Sequence, residues 1–197
     1  MGKKRQFNEE VVLDQLSSHF WKHGFSATKV DQLSEVTGLT KTSLYNAFGN
    51  KEALFLSAIN FYVDKSLEEM SGYLNTSNSL STNLEKLLTD TFITADKKSL
   101  SCGCFLTNSI VELNANELEL HSEVTALCDK VRKVKLKFFS YYVDNGKIEE
   151  DYSAEELTNY FMTFFQGLRV QSRNSEESNK LQKPINIFLK FIRSIEK

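Results

Sequence analysis

The chain has 197 residues, 41% hydrophobic and 25% charged, with a net charge of −2, the make-up of an ordinary globular protein rather than a disordered tail or a basic nucleic-acid coat. A single proline and eight glycines leave too little punctuation for an all-β fold, and no run approaches the ~18 uninterrupted apolar residues that a membrane span requires. Three cysteines, an odd number, fit a reducing cytoplasm better than a disulfide framework.

Met1-Gly2-Lys3-Lys4-Arg5 is charged but no apolar run follows, so it does not read as a signal peptide. Gln6 stands where a myristoylation signal wants Ser or Thr. After this basic arm a first helix is predicted over 8–23, with Val12, Leu16 and Phe20 on one face and Gly24 ending it. Thr28 can cap the next helix, in which Val30 and Leu33 share a face and Ser34 is small enough for a close crossing. Gly38 suits the left-handed backbone that stops that helix. Thr40 then caps a helix with Leu44 and Phe48 inward, Lys41, Thr42, Tyr45 and Asn46 outward, and Gly49 at its end. A fourth helix starts at Lys51 and keeps Leu54, Phe55, Ala58, Ile59, Tyr62 and Leu67 in register.

Beyond the polar stretch 75–81, helical periodicity resumes over 82–95 through Leu84, Leu87, Leu88 and Phe92. Residues 96–102 read as a connection and 105–113 as a short buried helix. A long helix opens at Asn116 or Glu117 and runs to Val143, where Asn145-Gly146 stops it. Ser153-Ala154-Glu155-Glu156 is a capping box for a helix carrying Leu157, Phe161, Phe165 and Leu168. A last helix over 177–195 holds Ile185, Phe188, Leu189 and Ile192, with Pro184 expected to kink it or mark its start.

Two short helices joined at Gly38 make a helix-turn-helix, whose second helix enters the major groove of DNA. Lys41 can reach a guanine edge or a phosphate, Thr42 and Ser43 a phosphate or a thymine methyl, and Asn46 an adenine. Thr28, Thr40 and Lys51 lie at helix starts, where free backbone N–H groups favour phosphate. The charge is distributed accordingly: residues 1–55 carry seven basic and six acidic residues, a net +1, and the remainder carries −3. The competing reading of the same helix is a polar surface helix of an all-α interaction protein that binds no DNA.

His23-Gly24-Phe25, Thr28, the run from Gly38 to Tyr45, Phe48 and Lys51-Glu52-Ala53-Leu54-Phe55 resemble the TetR/AcrR family of bacterial transcriptional repressors. A run of the type Leu-Tyr-x-x-Phe-x-x-Lys-Glu-x-Leu is diagnostic there. The resemblance is strong over the first quarter of the chain and weak afterwards, and Ala47 departs from it where many relatives carry His or Tyr beside the DNA backbone. It implies an all-α protein of about nine helices, with a helix-turn-helix head at 1–55 and an effector-binding and dimerisation domain at 56–197. Tyr45 would hydrogen-bond a phosphate. A homodimer would bind a palindromic operator and leave it when a small molecule enters an apolar pocket, for which Phe61, Tyr62, Phe92, Phe105, Asn108, Phe138 and Phe165 are candidates. The last two helices of each subunit would pair as a four-helix bundle, and Gly167, costly inside a helix, would permit close approach.

Cys102-Gly103-Cys104 has the chemistry of a thiol sensor, or of a soft-metal site if Cys128 or His121 joins it, or of plain structural cysteine. His19 and His23, four apart, could share a metal, although a helix end also attracts His for its dipole. No nucleophile–base motif or phosphate-cradling glycine loop is present, so neither catalysis nor a cofactor is expected.

Overall fold

The computed structural model describes residues 7–95, 97–113, 117–173 and 179–197. The basic arm Lys3-Lys4-Arg5 and the expected helix opening at Asn116 lie outside these residues. Ten helical segments run through the described residues: α1 (Glu9–His23), α2 (Val30–Thr37), α3 (Lys41–Phe48), α4 (Lys51–Ser71), α5 (Leu80–Phe92), α6 (Lys97–Cys102), α7 (Phe105–Glu112), α8 (Leu118–Asp144), α9 (Ala154–Ser172) and α10 (Asn179–Ile195). Nine of these are at least eight residues long and α6 has six. The only bridge between extended residues among those described joins Ile148 to Glu196.

Caps place most helix ends where the sequence puts them. The Asn8 side chain accepts from Glu10 N at 3.1 Å and Val11 N at 3.4 Å, and across the first turn of α9 the Ser153 hydroxyl accepts from Glu156 N while the Glu156 carboxylate accepts from Ser153 N. Three expectations are corrected. The stretch read as a connection is helical from Lys97 to Cys102. Pro184 does not begin α10, which starts five residues earlier at Asn179 and runs through it; at the sixth helical position it forgoes the bond an N–H would make to the carbonyl four residues back. Thr28 does not cap α2. Lys29 holds that position, and its N–H is taken by the Gln32 side chain at 2.7 Å.

The chain divides into two compact units, one running up to Ser66 and including Phe105–Cys128, the other comprising Leu67–Cys104 and Asp129–Lys197. In the first, α1 and α4 cross closely enough for Ser17 Oγ to donate to Ala58 O at 2.7 Å. An aromatic chain fills its centre. Phe55 meets Phe20, Phe25 and Phe105 edge-on at 5.2, 5.1 and 5.6 Å, and Tyr62 meets both Phe105 and Trp21. The core of the second unit joins Leu84, Leu88 and Phe92 of α5 to Phe138 and Phe139 of α8, Phe161 of α9 and Phe188 and Ile192 of α10. The buried Tyr142 hydroxyl ties the polar loop before α5 to this core, donating to Asn78 O at 2.9 Å and accepting from Asn83 Nδ2 at 3.0 Å.

Candidate nucleic-acid interface

α2 ends at Gly38, whose φ of 67° and ψ of 10° are left-handed, and α3 starts two residues later. A Cβ built on Gly38 would touch nothing within 4 Å, so backbone conformation and not space calls for glycine there. The Thr40 hydroxyl accepts from Ser43 N at 3.1 Å and donates to Ser43 Oγ at 2.9 Å. Leu44 is fully buried and anchors α3, while Lys41, Thr42, Tyr45 and Asn46 are exposed, Tyr45 by 43%. The helix thus presents a lysine, hydroxyls, a phenol and a carboxamide along one open face, the side-chain set that reads base edges and phosphates.

Two lysines of this face have partners. Lys41 Nζ lies 2.6 Å from Asp31 Oδ1, an exposed pair within the helix-turn-helix. Lys51, in the first turn of α4, holds its ammonium 4.4 Å from the centre of the Phe25 ring. Asn50 caps the same helix, accepting from Ala53 N at 2.9 Å. Thr28 is turned inward: it is 1% exposed, and its hydroxyl donates to Gly24 O at 2.6 Å. Its side chain therefore closes the α1–α2 turn instead of presenting a hydroxyl to a phosphate.

That turn is gripped from α7. The Glu112 carboxylate accepts from Phe25 N at 2.9 Å and Ser26 N at 2.8 Å. A Cβ on Gly24 (φ 80°) would stand 2.7 Å from both carboxylate oxygens, so the approach requires glycine. Glu112 thereby fixes Phe25, and the Phe25 ring carries Lys51. Sequence reasoning missed this contact because the partners are 86 and 87 residues apart. Asp31 was missed for a smaller reason: it pairs across the turn, outside the i,i+4 spacing that marks a helical ion pair.

His19 and His23 stack at 4.5 Å on α1, and His19 Nε2 is buried without a hydrogen-bond partner. Desolvation, and then the charges of His23 and Lys22, push the His19 pKa below its ordinary value. Among the described residues no three of His, Cys, Asp and Glu gather into a group that could hold a metal ion. None of the three cysteines is in a disulfide, and each is half-buried.

The ligand candidates divide between the units. Phe61, Tyr62, Phe105 and Asn108 belong to the first, and Phe92, Phe138 and Phe165 to the second. Phe92, Phe105, Phe138 and Phe165 are buried, whereas Phe61, Tyr62 and Asn108 are partly exposed. No helix among the described residues is long and apolar enough to cross a membrane.

Comparison with known proteins agrees with this geometry. Residues 12–58 match the family model described as bacterial regulatory proteins, tetR family. Residues 82–188 match the tetracyclin repressor-like C-terminal domain. The HTH-type transcriptional repressor ComR of Escherichia coli (strain K12) is 24% identical over 184 residues, covering 91% of this chain and 86% of its own. The transcriptional regulator YezE of Bacillus subtilis (strain 168) is 20% identical over 190 residues, covering 96% and 98%. In fold the chain is similar to a cysteine mutant of the TetR family regulator CifR complexed with 26 bp double-strand operator DNA, with a TM-score of 0.84, 21% identity and coverage of 96% and 98%. It is also similar to the reduced form of E. coli NemR, with a TM-score of 0.76, 14% identity and coverage of 95% and 96%. With both family models matched in chain order and an open recognition helix behind a left-handed glycine, the chain belongs to the TetR family of bacterial transcriptional regulators, DNA-binding proteins and not enzymes.

Proposed function

We propose that this protein is a repressor that binds a palindromic operator as a homodimer and leaves it when a small molecule binds the effector domain, taken as 56–197, while 1–55 reads DNA. The observation that carries the DNA half is the open α3 face, with Thr42, Tyr45 and Asn46 exposed beside Thr40, Lys41 and Ser43. Lys41 exchanges Asp31 for a base edge or a phosphate, Tyr45 donates to a phosphate, and Lys51 clamps a phosphate from its seat on Phe25. Two copies are needed because one helix reads too few base pairs for useful specificity.

The pairing surface is α9 with α10. Gly167 is exposed, and a Cβ there would meet nothing within 4 Å of its own chain. Tyr160, Val170 and Ile187 are exposed by 48, 55 and 69%, an apolar set suited to burial against a second copy. The test is binding of the purified protein to DNA flanking its own gene, as a salt series, for wild type, Tyr45→Ala and Lys51→Ala. Tight, steeply salt-dependent binding that both variants lose supports the reading. Weak binding equal in all three removes it and leaves an all-α interaction protein.

A second reading keeps the DNA chemistry and changes the trigger to thiol oxidation. It is favoured by the placement of Cys102 and Cys104 around buried Gly103 (φ 72°), whose Cβ would lie 2.9 Å from the Arg173 side chain, bringing a cationic residue beside two partly exposed thiols. Alkylation with iodoacetamide that leaves operator release unchanged removes this reading.

A further inference from the structure

The positive charge of the head comes from ahead of its first helix. Residues 6–55 carry four basic and six acidic residues, a net of −2, and Lys3, Lys4 and Arg5 bring the first 55 to +1. Of the four, Lys41 is paired with Asp31 at 2.6 Å and Lys51 is seated on the Phe25 ring. A duplex carries one phosphate charge per ~1.7 Å of its axis, and release of its counterions supplies the sequence-independent attraction. A head of −2 is not drawn to that surface by its net charge. The open face of α3 therefore depends on cations supplied from elsewhere.

The chain that bears three such cations is anchored at the recognition helix. Phe7 lies against Phe48, the last residue of α3, with ring centres 6.2 Å apart and planes at 38°. Asn8 is extended, with φ −77° and ψ 111°, and its side chain caps α1. Cap and ring contact together fix where the chain enters α1, one turn of α3 from the exposed Tyr45. Glu9 and Glu10 follow in the first turn of α1, and two carboxylates there disfavour a phosphate, so the cations act ahead of that helix. Arg5 is two residues from Phe7 and Lys3 four, at most about 7 and 14 Å of extended chain. The major groove is about 12 Å wide, so that reach carries the chain from the end of α3 over one sugar-phosphate ridge. The minor groove lies beyond it, and where it is narrow and A·T-rich its negative potential attracts Arg and Lys.

We propose that Lys3-Lys4-Arg5 is a second DNA-reading element, which enters the minor groove flanking the major groove read by α3, with Phe7 as the positioning residue that aims it. The inference rests on the operator-binding reading above. It adds to that reading a preference for flanking base pairs without the guanine 2-amino group, which projects into the minor groove. Phe7 acts by holding the arm against α3.

The test uses the full-length protein and the duplex it selects from a random pool, as a salt series, for wild type, Tyr45→Ala, Phe7→Ala and a triple variant, Lys3→Gln with Lys4→Gln and Arg5→Gln. The triple variant changes no residue of a described helix and is expected to lower the salt slope by about 2 per bound head. Phe7→Ala keeps all three charges; affinity falls about three- to tenfold, the cost of ordering an unanchored arm. The groove is identified with two further duplexes, whose flanking A·T pairs are replaced by I·C or by G·C. These differ from each other by the guanine 2-amino group alone. Wild type is expected to favour I·C by about fivefold, and the triple variant and Phe7→Ala to lose that preference. If Phe7→Ala loses its cooperative melt, Phe7→Leu, which keeps an apolar contact without the ring pair, takes its place under the same criteria. An unchanged slope in the triple variant overturns the proposal. A lowered slope with equal binding to I·C and G·C puts the cations on phosphates and overturns the minor-groove placement, and a preference that survives loss of the Phe7 ring overturns the role of Phe7. Binding that Tyr45→Ala loses and the triple variant keeps unaltered leaves the operator reading standing without the arm. A wild type that selects no sequence removes both.

Discussion

Glu112→Ala tests whether α7 holds the DNA-reading head in position. The carboxylate accepts two backbone N–H groups, from Phe25 at 2.9 Å and Ser26 at 2.8 Å. Hydrogen bonds to a charged group contribute about 1.5–3 kcal/mol each when well shielded. Ser26 is exposed and finds water in the variant, whereas Phe25 is 6% exposed and its N–H does not find it easily. The expected loss is therefore nearer one bond than two, about 2 kcal/mol. For a chain of this size that lowers the melting temperature by about 4–8 °C. The local signature is sharper: amide exchange at Phe25 and Ser26 accelerates beyond that of Leu33 and Leu44, which lie in the same unit but donate to Lys29 O and Thr40 O. Operator affinity falls about three- to tenfold at 0.1 M salt, because Phe25 seats Lys51, and the salt slope drops by no more than about one phosphate contact. Glu112→Gln, which keeps one acceptor oxygen, lies between. An unchanged melt with unchanged exchange at Phe25 and Ser26 would refute the argument, since the two bonds would then carry no weight.

Tyr45→Phe keeps the ring packing of α3 and removes the phenol, so operator affinity should fall about three- to tenfold with no change in melting temperature, the cost of one hydrogen bond; an unchanged affinity would detach Tyr45 from the phosphates. Asp31→Asn frees the Lys41 ammonium and should raise affinity for random DNA about threefold or more and steepen its salt slope by about 1; filter binding at several salt concentrations measures both. Gly167→Ala adds helix propensity worth about 1 kcal/mol yet should weaken self-association in sedimentation. A higher melt with an unweakened dimer would place Gly167 outside any close contact. The lowered His19 pKa means that the unfolded chain takes up the proton first as pH falls. Its stabilising share is thus complete above about pH 6.5 and is lost as pH falls from there towards the folded value. The drop in melting temperature between pH 7.5 and 5.5 should shrink in His19→Gln, and an identical drop would show that His19 contributes nothing to it.

The parts of this fold legible in the sequence are those whose causes are local. Asn8, Thr40 and Ser153 cap helices through bonds that span two or three residues, and Gly38 supplies a left-handed residue whose need is written in the turn itself. The inward Leu44 and outward Tyr45 follow from helical period alone. The errors arise where a partner other than the one the residue type suggests decides. Thr28 is a good cap by residue type, but the Gly24 carbonyl takes its hydroxyl and α2 begins one residue later. Residues 96–102 lack apolar periodicity, yet tertiary packing makes 97–102 helical: Ser172 Oγ donates to Leu100 O at 3.0 Å, pinning α6 to α9. Lys135 and Arg169 look like ordinary solvated charges on helix faces, and only the packing of α5, α8 and α9 reveals that they lie among rings.

Charge in the head bears on how it selects DNA. Residues 1–55 carry only +1, and Asp31 holds the Lys41 ammonium at 2.6 Å. A head built for indiscriminate affinity would leave that lysine free, because phosphate contacts supply nearly all non-specific binding. Here Lys41 must give up Asp31 before it can contact DNA, a cost incurred at every site and offset only where a base edge or a well-placed phosphate replaces the carboxylate. An exposed pair contributes about 0–1 kcal/mol, so the penalty per head reaches at most a factor of about five, and a dimer applies it twice. On the proposed reading, operators offset it through base contacts by Thr42 and Asn46, whereas random sequence offers only phosphates. Because the cost is common to both, Asp31 lowers absolute affinity and leaves the ratio between operator and random DNA, the quantity that matters against a genome of competing sites, to the base contacts alone.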